Sequence, residues 1–408
     1  MDGGVDALGP GVGSNACVTS ISGTAFAPNG ELPLYNVIVY VPRVTPDPIP
    51  SGATCDKCGS LASGMPIVTT LSDATGHFKL EHVPAGVNVP LVLQVGKWRR
   101  QVVIPKVTEC KDTALTDPNL TRLPRSHAEG EMPKIAVTTG GCDPIACILP
   151  KIGIASSEFG VDGSTKVTFF QGGGGSGPAG VTDAQAFWSS ATALKAYDMV
   201  ILACECNENL VNKPAPARQA MFDYLNSGGR VFGTDYQYTW FRSGPAPLPS
   251  TAGWVGAESG PSGVAPFAVD TSFPKGKALA DWLQATGASS TYGQVPLEPF
   301  FFNVSKVNPA LAQGWVSSSN ADKVLTFNAP VGSPPDQQCG KAVFLDAHIG
   351  AGSVVTPEFP GRDFDTTKTA AGCVAGLSAQ EKAFVFFLFD LSACIQKDNG
   401  PVNPPVPK

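Results

Sequence analysis

A multidomain chain, with an N-terminal all-β sandwich and a C-terminal α/β domain built on a mainly parallel, doubly wound sheet, is what three features of this sequence predict. The first is a series of short apolar or alternating runs between Val18 and about Pro105, each closed by Gly or Pro. The second is the stretch from Ala196 to Phe241, which reads as strand, loop, helix, strand. The third is the length of 408 residues, above the size at which one hydrophobic core usually stops growing.

In the first domain, taken as residues 17–110, the runs are SGTAFAP, YNVIVYVP, HFKLEHVP, LVLQVG and RRQVVIP. Five or more short strands with turn punctuation describe a small sandwich. Residues 1–16, polar and Gly-rich, read as a disordered tether. Inside the domain the segment 43–66 is rich in Pro and Gly and carries Cys55 and Cys58. Zinc requires a second ligand pair, which does not follow, and a redox Cys-x-x-Cys opens a helix, which this loop does not. The expectation is a local disulfide between Cys55 and Cys58 that pins the loop. Cys17 and Cys110 bracket the domain and suggest a second bridge.

Residues 111–132 read as a polar linker, and PKIAVTTGG opens the α/β domain, taken as 133–395, with its first buried strand. Asp143 and Pro144 then fit an N-cap and first-turn proline for a helix. GSTKVTFFQ is the next strand, and the glycine run 172–175 after it lacks the ending of a phosphate loop, so a mobile loop is expected. DAQAFWSSATALKAY at 183–197 supplies a helix. Met199, Val200, Ile201 and Leu202 form an unbroken apolar run, as in a strand buried on both faces. Ala217, Ala220, Met221, Tyr224 and Leu225 recur at helical spacing, Gly228 and Gly229 stop that helix, and Arg230 to Thr234 returns as a strand. A right-handed crossover of this kind brings both strand ends to one edge of the sheet, where open α/β folds bind ligands. A β-rich insertion is expected at about 242–335, a core strand at 341–350, and a last helix with a Ser378/Glu381 capping box. The tail, 396–408, holds four prolines and reads as disordered.

Composition narrows the functional classes. Only 15% of residues are charged and the net charge is -6, which gives no electrostatic footprint for nucleic acid. No apolar run reaches membrane-spanning length, and contact with a membrane is expected only through a lost N-terminal signal or anchor. Eleven cysteines without a metal pattern favour an oxidising compartment: secreted, periplasmic or cell surface. Their odd number leaves at least one thiol unpaired or bonded to another chain.

Two resemblances add to this reading. SGTAFAPNGELPLYNVIVYV and LSDATGHFKLEHVPAG are similar to the carboxypeptidase regulatory-like domain, a transthyretin-type sandwich that is usually noncatalytic. The strand DMVILAC, the helix leading to GGRVFGTD and a late strand ending in His348 resemble the class I glutamine amidotransferase-like fold in its trehalose-utilisation-type (ThuA-like) branch. That family carries a nucleophilic Cys in a Gly-x-Cys-x-Gly turn. Here the turn is Gly233, Thr234, Asp235, Tyr236 and Gln237, so the resemblance implies loss of glutamine hydrolysis.

The candidate site is therefore Asp235, His348 and Glu205, a carboxylate and imidazole set suited to activating water or holding a divalent metal. No other cofactor is expected. Asp346, two residues before His348, shares its strand face. Tyr236, Tyr238 and Trp240, with Arg242, form a candidate binding surface for a carbohydrate or peptide ligand. Cys204 and Cys206 lie at the end of the same strand; each is expected to pair with a cysteine elsewhere, or Cys204 to be a buried apolar residue, with Cys204 as a displaced nucleophile the lesser alternative. The leading expectation is a noncatalytic binding or surface-interaction protein of the envelope or exterior. The alternative is a metal- or carboxylate-assisted hydrolase or carbohydrate-modifying enzyme. Exposed aromatics would favour binding, and Asp235 within one water of His348 would favour catalysis.

Overall fold

Period-two alternation builds the first domain: in His77–Glu81, Phe78 and Leu80 are buried while the three residues between and beside them are exposed. The computed structural model describes residues 17–58, 61–143, 145–175, 177–256, 267–297, 301–349, 376–402 and 404–405. The expected tether, 1–16, lies outside them. The sandwich comprises β1 (Ser20–Thr24), β2 (Ile38–Pro42), β3 (Pro66–Leu71), β4 (His77–Glu81), β5 (Gly86–Val95), β6 (Trp98–Val107) and β7 (Asp112–Leu115). One sheet runs β4-β1-β7 and the other β3-β2-β5-β6. Strand β7 corrects the domain boundary, because residues 112–115 were expected in the linker. They pair in parallel with β1, and the Ser20 and Ser22 hydroxyls donate to the Asp112 carboxylate at 2.6 and 2.5 Å. A short helix, α1 (Pro118–Thr121), follows, capped by the Asp117 side chain.

The second domain contains β8 (Ile135–Thr139), α2 (Ile148–Lys151), β9 (Phe159–Gly160), β10 (Val167–Gln171), β11 (Thr182–Asp183), α3 (Ala184–Trp188), α4 (Ala191–Lys195), β12 (Met199–Leu202), α5 (Ala215–Asn226) and β13 (Arg230–Thr234). It continues through α6 (Thr239–Arg242), β14 (Ala252–Trp254), β15 (Phe267–Val269), α7 (Pro274–Ala285), β16 (Gln294–Val295), β17 (Val304–Val307), β18 (Gln313–Ser317), β19 (Asp322–Ala329), β20 (Gly340–Leu345) and α8 (Ala379–Ser392). The sheet order is β11-β10-β8-β12-β13-β20-β19-β18-β15-β16, with β9 beside β10. Strands β10, β8, β12, β13 and β20 are parallel neighbours, and β12 meets β13 in register from Met199 opposite Arg230 to Leu202 opposite Gly233. The chain passes from β8 to β10 on one side of it, and then from β10 through α3 and α4 to β12 on the other.

Alternate residues of each central strand enter two different cores. On β12, Met199 and Ile201 belong to one, and Val200 and Leu202 to the other. The first core contains α8 and continues without a break into the sandwich interior. Tyr35 stacks on Phe386 and Trp98 packs on Phe389, so α8 is covered by the central sheet on one side and the sandwich on the other. Its capping box forms as expected.

Several expectations are corrected. The helix foreseen at 183–197 is two, because Ser190 accepts a hydrogen bond from Ala193 N and starts a second one. The helix foreseen after Asp143 is a 3-10 turn and the four residues of α2. Within the segment 242–335, β15, β16, β18 and β19 extend the central sheet in antiparallel fashion. The glycine run is packed rather than free: a Cβ on Gly172 would lie 2.2 Å from Thr139 O, and Gly173 N donates to Glu205.

Cys17 and Cys110 are joined, but Cys55 and Cys58 are not joined to each other. Cys55 pairs with Cys339 before β20, and Cys58 pairs with Cys394 after α8. The insertion loop lies across the second domain, so spatial proximity overrides the short sequence separation. The described residues of the tail, 396–402 and 404–405, are also docked: Asp398 is buried against Lys275 and Lys341, and Thr69 Oγ1 donates to Pro405 O. Burial of an acid opposite two buried lysines holds a proline-rich segment that its composition alone would leave disordered. These disulfides fit folding in an oxidising compartment, and among the described residues no helix is long and apolar enough to cross a membrane.

Candidate functional site

The ends of β8, β12, β13 and β20 converge on one buried carboxylate. Asp143 Oδ1 accepts from Ile349 N at 2.7 Å, and its Oδ2 accepts from Thr234 Oγ1 and from Cys204 N at 3.3 Å. His348 Nδ1 stands 3.2 Å from Asp143 Oδ1, an ion-pair distance without hydrogen-bond alignment. Asp143 thus ties together four strand ends instead of capping a helix. Its demand for several donors in a buried setting outweighs the capping bond.

The other face of the same imidazole meets Asp235. His348 Nε2 is 3.7 Å from Asp235 Oδ2, and that oxygen also accepts from Cys204 Sγ at 3.1 Å. Asn303 Nδ2 donates to Asp235 Oδ1 and to Asp346 Oδ1, both at 2.8 Å. Asp235 follows β13 directly and holds φ at +41° in the left-handed region, a strained conformation for a residue other than Gly. It is fully buried, whereas the His348 side chain keeps 13% exposure and is packed edge-on by Phe301.

Electrostatics separates the members. Burial pushes Asp235 up to about 6, against the opposing pull of His348. Burial lowers His348, but the adjoining Asp143 carboxylate, then Asp235 and Asp346, outweigh it and leave its pKa raised. Burial, followed by the charges of Asp235 and Asp143, drives the Cys204 thiol well above its usual range. Asp346 is raised by burial, opposed by Lys323 at 3.6 Å.

Of the expected residues, Asp235, His348 and Asp346 meet here. Glu205 does not: its carboxylate is turned to the buried Lys213 and to Gly173 N. Desolvation of Lys213 demands a counter-charge, and Glu205 is the one within reach. The aromatic surface is corrected too. Tyr238 and Trp240 are buried, the first bonded to Glu208 and the second donating to Gln237, while Arg242 pairs with Glu208 at 2.8 Å. Tyr236 alone of the set remains half-buried. Asp143, Thr234 and Asn303 were not foreseen as site residues, and a polar residue just past a buried strand was the available signal for Asp143.

Cys204 is the free cysteine among the described residues, and Cys142 is bonded to Cys206. Cys142 Sγ, Cys204 Sγ and a His348 nitrogen lie within 4.8 Å of one another, a spacing a metal ion would accept, but Cys142 is no thiolate while the disulfide stands.

No family model matches the chain, and no curated protein does. A cytoplasmic protein from Salmonella typhimurium aligns over 54% of this chain and 89% of its own at 10% identity, with a TM-score of 0.32. A type II cohesin–X-dockerin complex from Acetivibrio cellulolyticus, a C-terminal interface mutant, aligns over 36% of this chain and 79% of the matched chain at 13% identity, with a TM-score of 0.17. Likenesses at this level carry no argument about fold, ligand or partner.

Proposed function

We propose that the chain is an exported hydrolase, in which a regulatory-like sandwich braces a doubly wound, amidotransferase-like domain with Asp235 in the place of the usual nucleophile. The observation that carries this reading is Asp235 at positive φ on the turn after β13, with His348 Nε2 3.7 Å from its carboxylate. Asp143, on the opposite ring nitrogen, would orient the imidazole as the acid does in a triad. Burial of Tyr238 and Trp240 removes the aromatic face on which the binding-protein reading depended.

In the proposed reaction the ionised Asp235 Oδ2 attacks the electrophilic carbon of a carbon–oxygen bond. The leaving oxygen takes the proton of His348 Nε2, and an enzyme ester forms from a glycoside, or an enzyme anhydride from an ester. Neutral His348 then accepts a proton from water, whose oxygen attacks the carbonyl of that ester or anhydride, and product departs with Asp235 again ionised and His348 again charged. Asn303 would hold the other Asp235 oxygen in place.

A panel of chromogenic aryl esters and aryl glycosides tests this. Asp235→Asn and His348→Ala should each lower kcat/KM by at least about 100-fold while keeping the native circular dichroism spectrum. Native protein inert to the whole panel, or variants as active as the parent, would sink the reading.

A further inference from the structure

We infer that opening the disulfide between Cys142 and Cys206 creates a zinc site made of Cys142, Cys204 and His348. The three donor atoms already lie within 4.8 Å of one another. Two thiolates on one tetrahedral zinc, at about 2.3 Å each, stand roughly 3.8 Å apart, so closure is a movement of about an ångström. Thiolate and imidazole donors together select zinc over the harder divalent ions.

The positions of Cys142 and Cys204 do not depend on the disulfide. Cys142 N donates to Cys204 O at 3.1 Å, and a Cβ on Gly140, two residues before Cys142, would sit 2.0 Å from that same carbonyl, so the two backbones are held in contact by packing. Cys206 is different: it is exposed and holds φ at +61° on the loop after β12. It is the more exposed residue of the bridge, Cys142 being half-buried. The lining is acidic, with Asp143 and Asp235 both facing His348. A dication would complement that charge, and Asp235 Oδ2, 3.1 Å from Cys204 Sγ, is placed beside the ion.

The chemistry balances with a small dithiol as the reductant. The dithiol gives two electrons and two protons to the bridge, leaving as its own cyclic disulfide and freeing Cys142 and Cys206 as thiols. Zinc then displaces one proton each from Cys142 and Cys204. Occupation of His348 would also stop turnover; that consequence rests on the hydrolase reading, whereas zinc binding does not.

Cys206→Ser, prepared without reductant so that the other bridges persist, mimics the opened form. Dialysis against zinc and metal analysis should give about one ion per chain for this variant and none for the oxidised parent, and cobalt should produce tetrahedral thiolate bands. Adding His348→Ala or Cys204→Ser should weaken binding by at least about tenfold. Absence of zinc uptake, equal uptake by the oxidised parent, indifference to those second substitutions, or a Cys142 to Cys204 disulfide on peptide mapping would each overturn the proposal. Should the variant not fold, the parent opened by limiting dithiol, with mapping to confirm which bridge broke, is tested against the same outcomes. Zinc uptake in a protein with no hydrolysis upholds the site and sinks only the preceding reading.

Discussion

His348 lies between two carboxylates that do different things to it, and this fixes how the proposed hydrolase should respond to pH. Asp235 must be ionised to attack, and its pKa is pushed up to about 6 by burial, with His348 opposing. His348 must be charged to protonate the leaving group, and Asp143 helps to hold its pKa above the usual value. The kcat/KM profile should therefore rise through pH about 6 and fall again above the raised histidine pKa. A profile that rises and never falls would remove His348 as the acid. The sequence made Asp235 and His348 legible because each ends an apolar run. Asp143 and Asn303 were not legible, since their roles come from hydrogen bonds to residues 206 and 68 positions away in the chain, respectively Ile349 and Asp235.

Among the elements, α8 and the insertion loop of the sandwich show how the two domains became one core. Gly96, at the turn between β5 and β6, has φ at +52°, and a Cβ there would fall 1.8 Å from Ser392 O at the end of α8. The loop carrying Cys55 and Cys58 then staples that contact on both flanks. Removing the bridge after α8 with Cys58→Ser and Cys394→Ser should cost about 2–4 kcal/mol, read as a lower calorimetric Tm. An unchanged Tm would mean that the shared apolar core holds the domains unaided. The strands and the capped helix were readable from periodicity and from Ser378 and Glu381. The pairing of the cysteines was not, because a Cys-x-x-Cys spacing constrains only the loop that contains it.

Across the whole molecule, the C-terminal segment closes a buried charge network. Lys275 and Lys341 each reach both Asp390 and Asp398, over distances of 2.5 to 3.0 Å, and Thr326 adds a hydroxyl to Asp398. Burial works against ionisation of Asp398, but the two lysines outweigh it and hold its pKa far below the usual range. Such a depressed carboxylate contributes stability that is fully present above its unfolded pKa of about 4 and is lost as pH falls below it. Asp398→Asn should cost about 3–5 kcal/mol at neutral pH, because two buried lysines would share one acid. Denaturant titrations of parent and variant should converge in acid; a gap that persists there would assign the loss to packing.

The sequence by itself determined the main strands of both domains and the capped last helix, which strand is buried on both faces, and which two residues stand at the sheet's edge, because these follow from side-chain period and from residues with special backbone preferences. Tertiary structure alone decided that Glu205 belongs to Lys213, that the aromatic set is interior, that Asp143 gathers four strand ends, and that the tail is bound. Each of those outcomes is set by desolvation: a buried charge takes the partner that the fold brings within reach, and no local pattern records which one that will be.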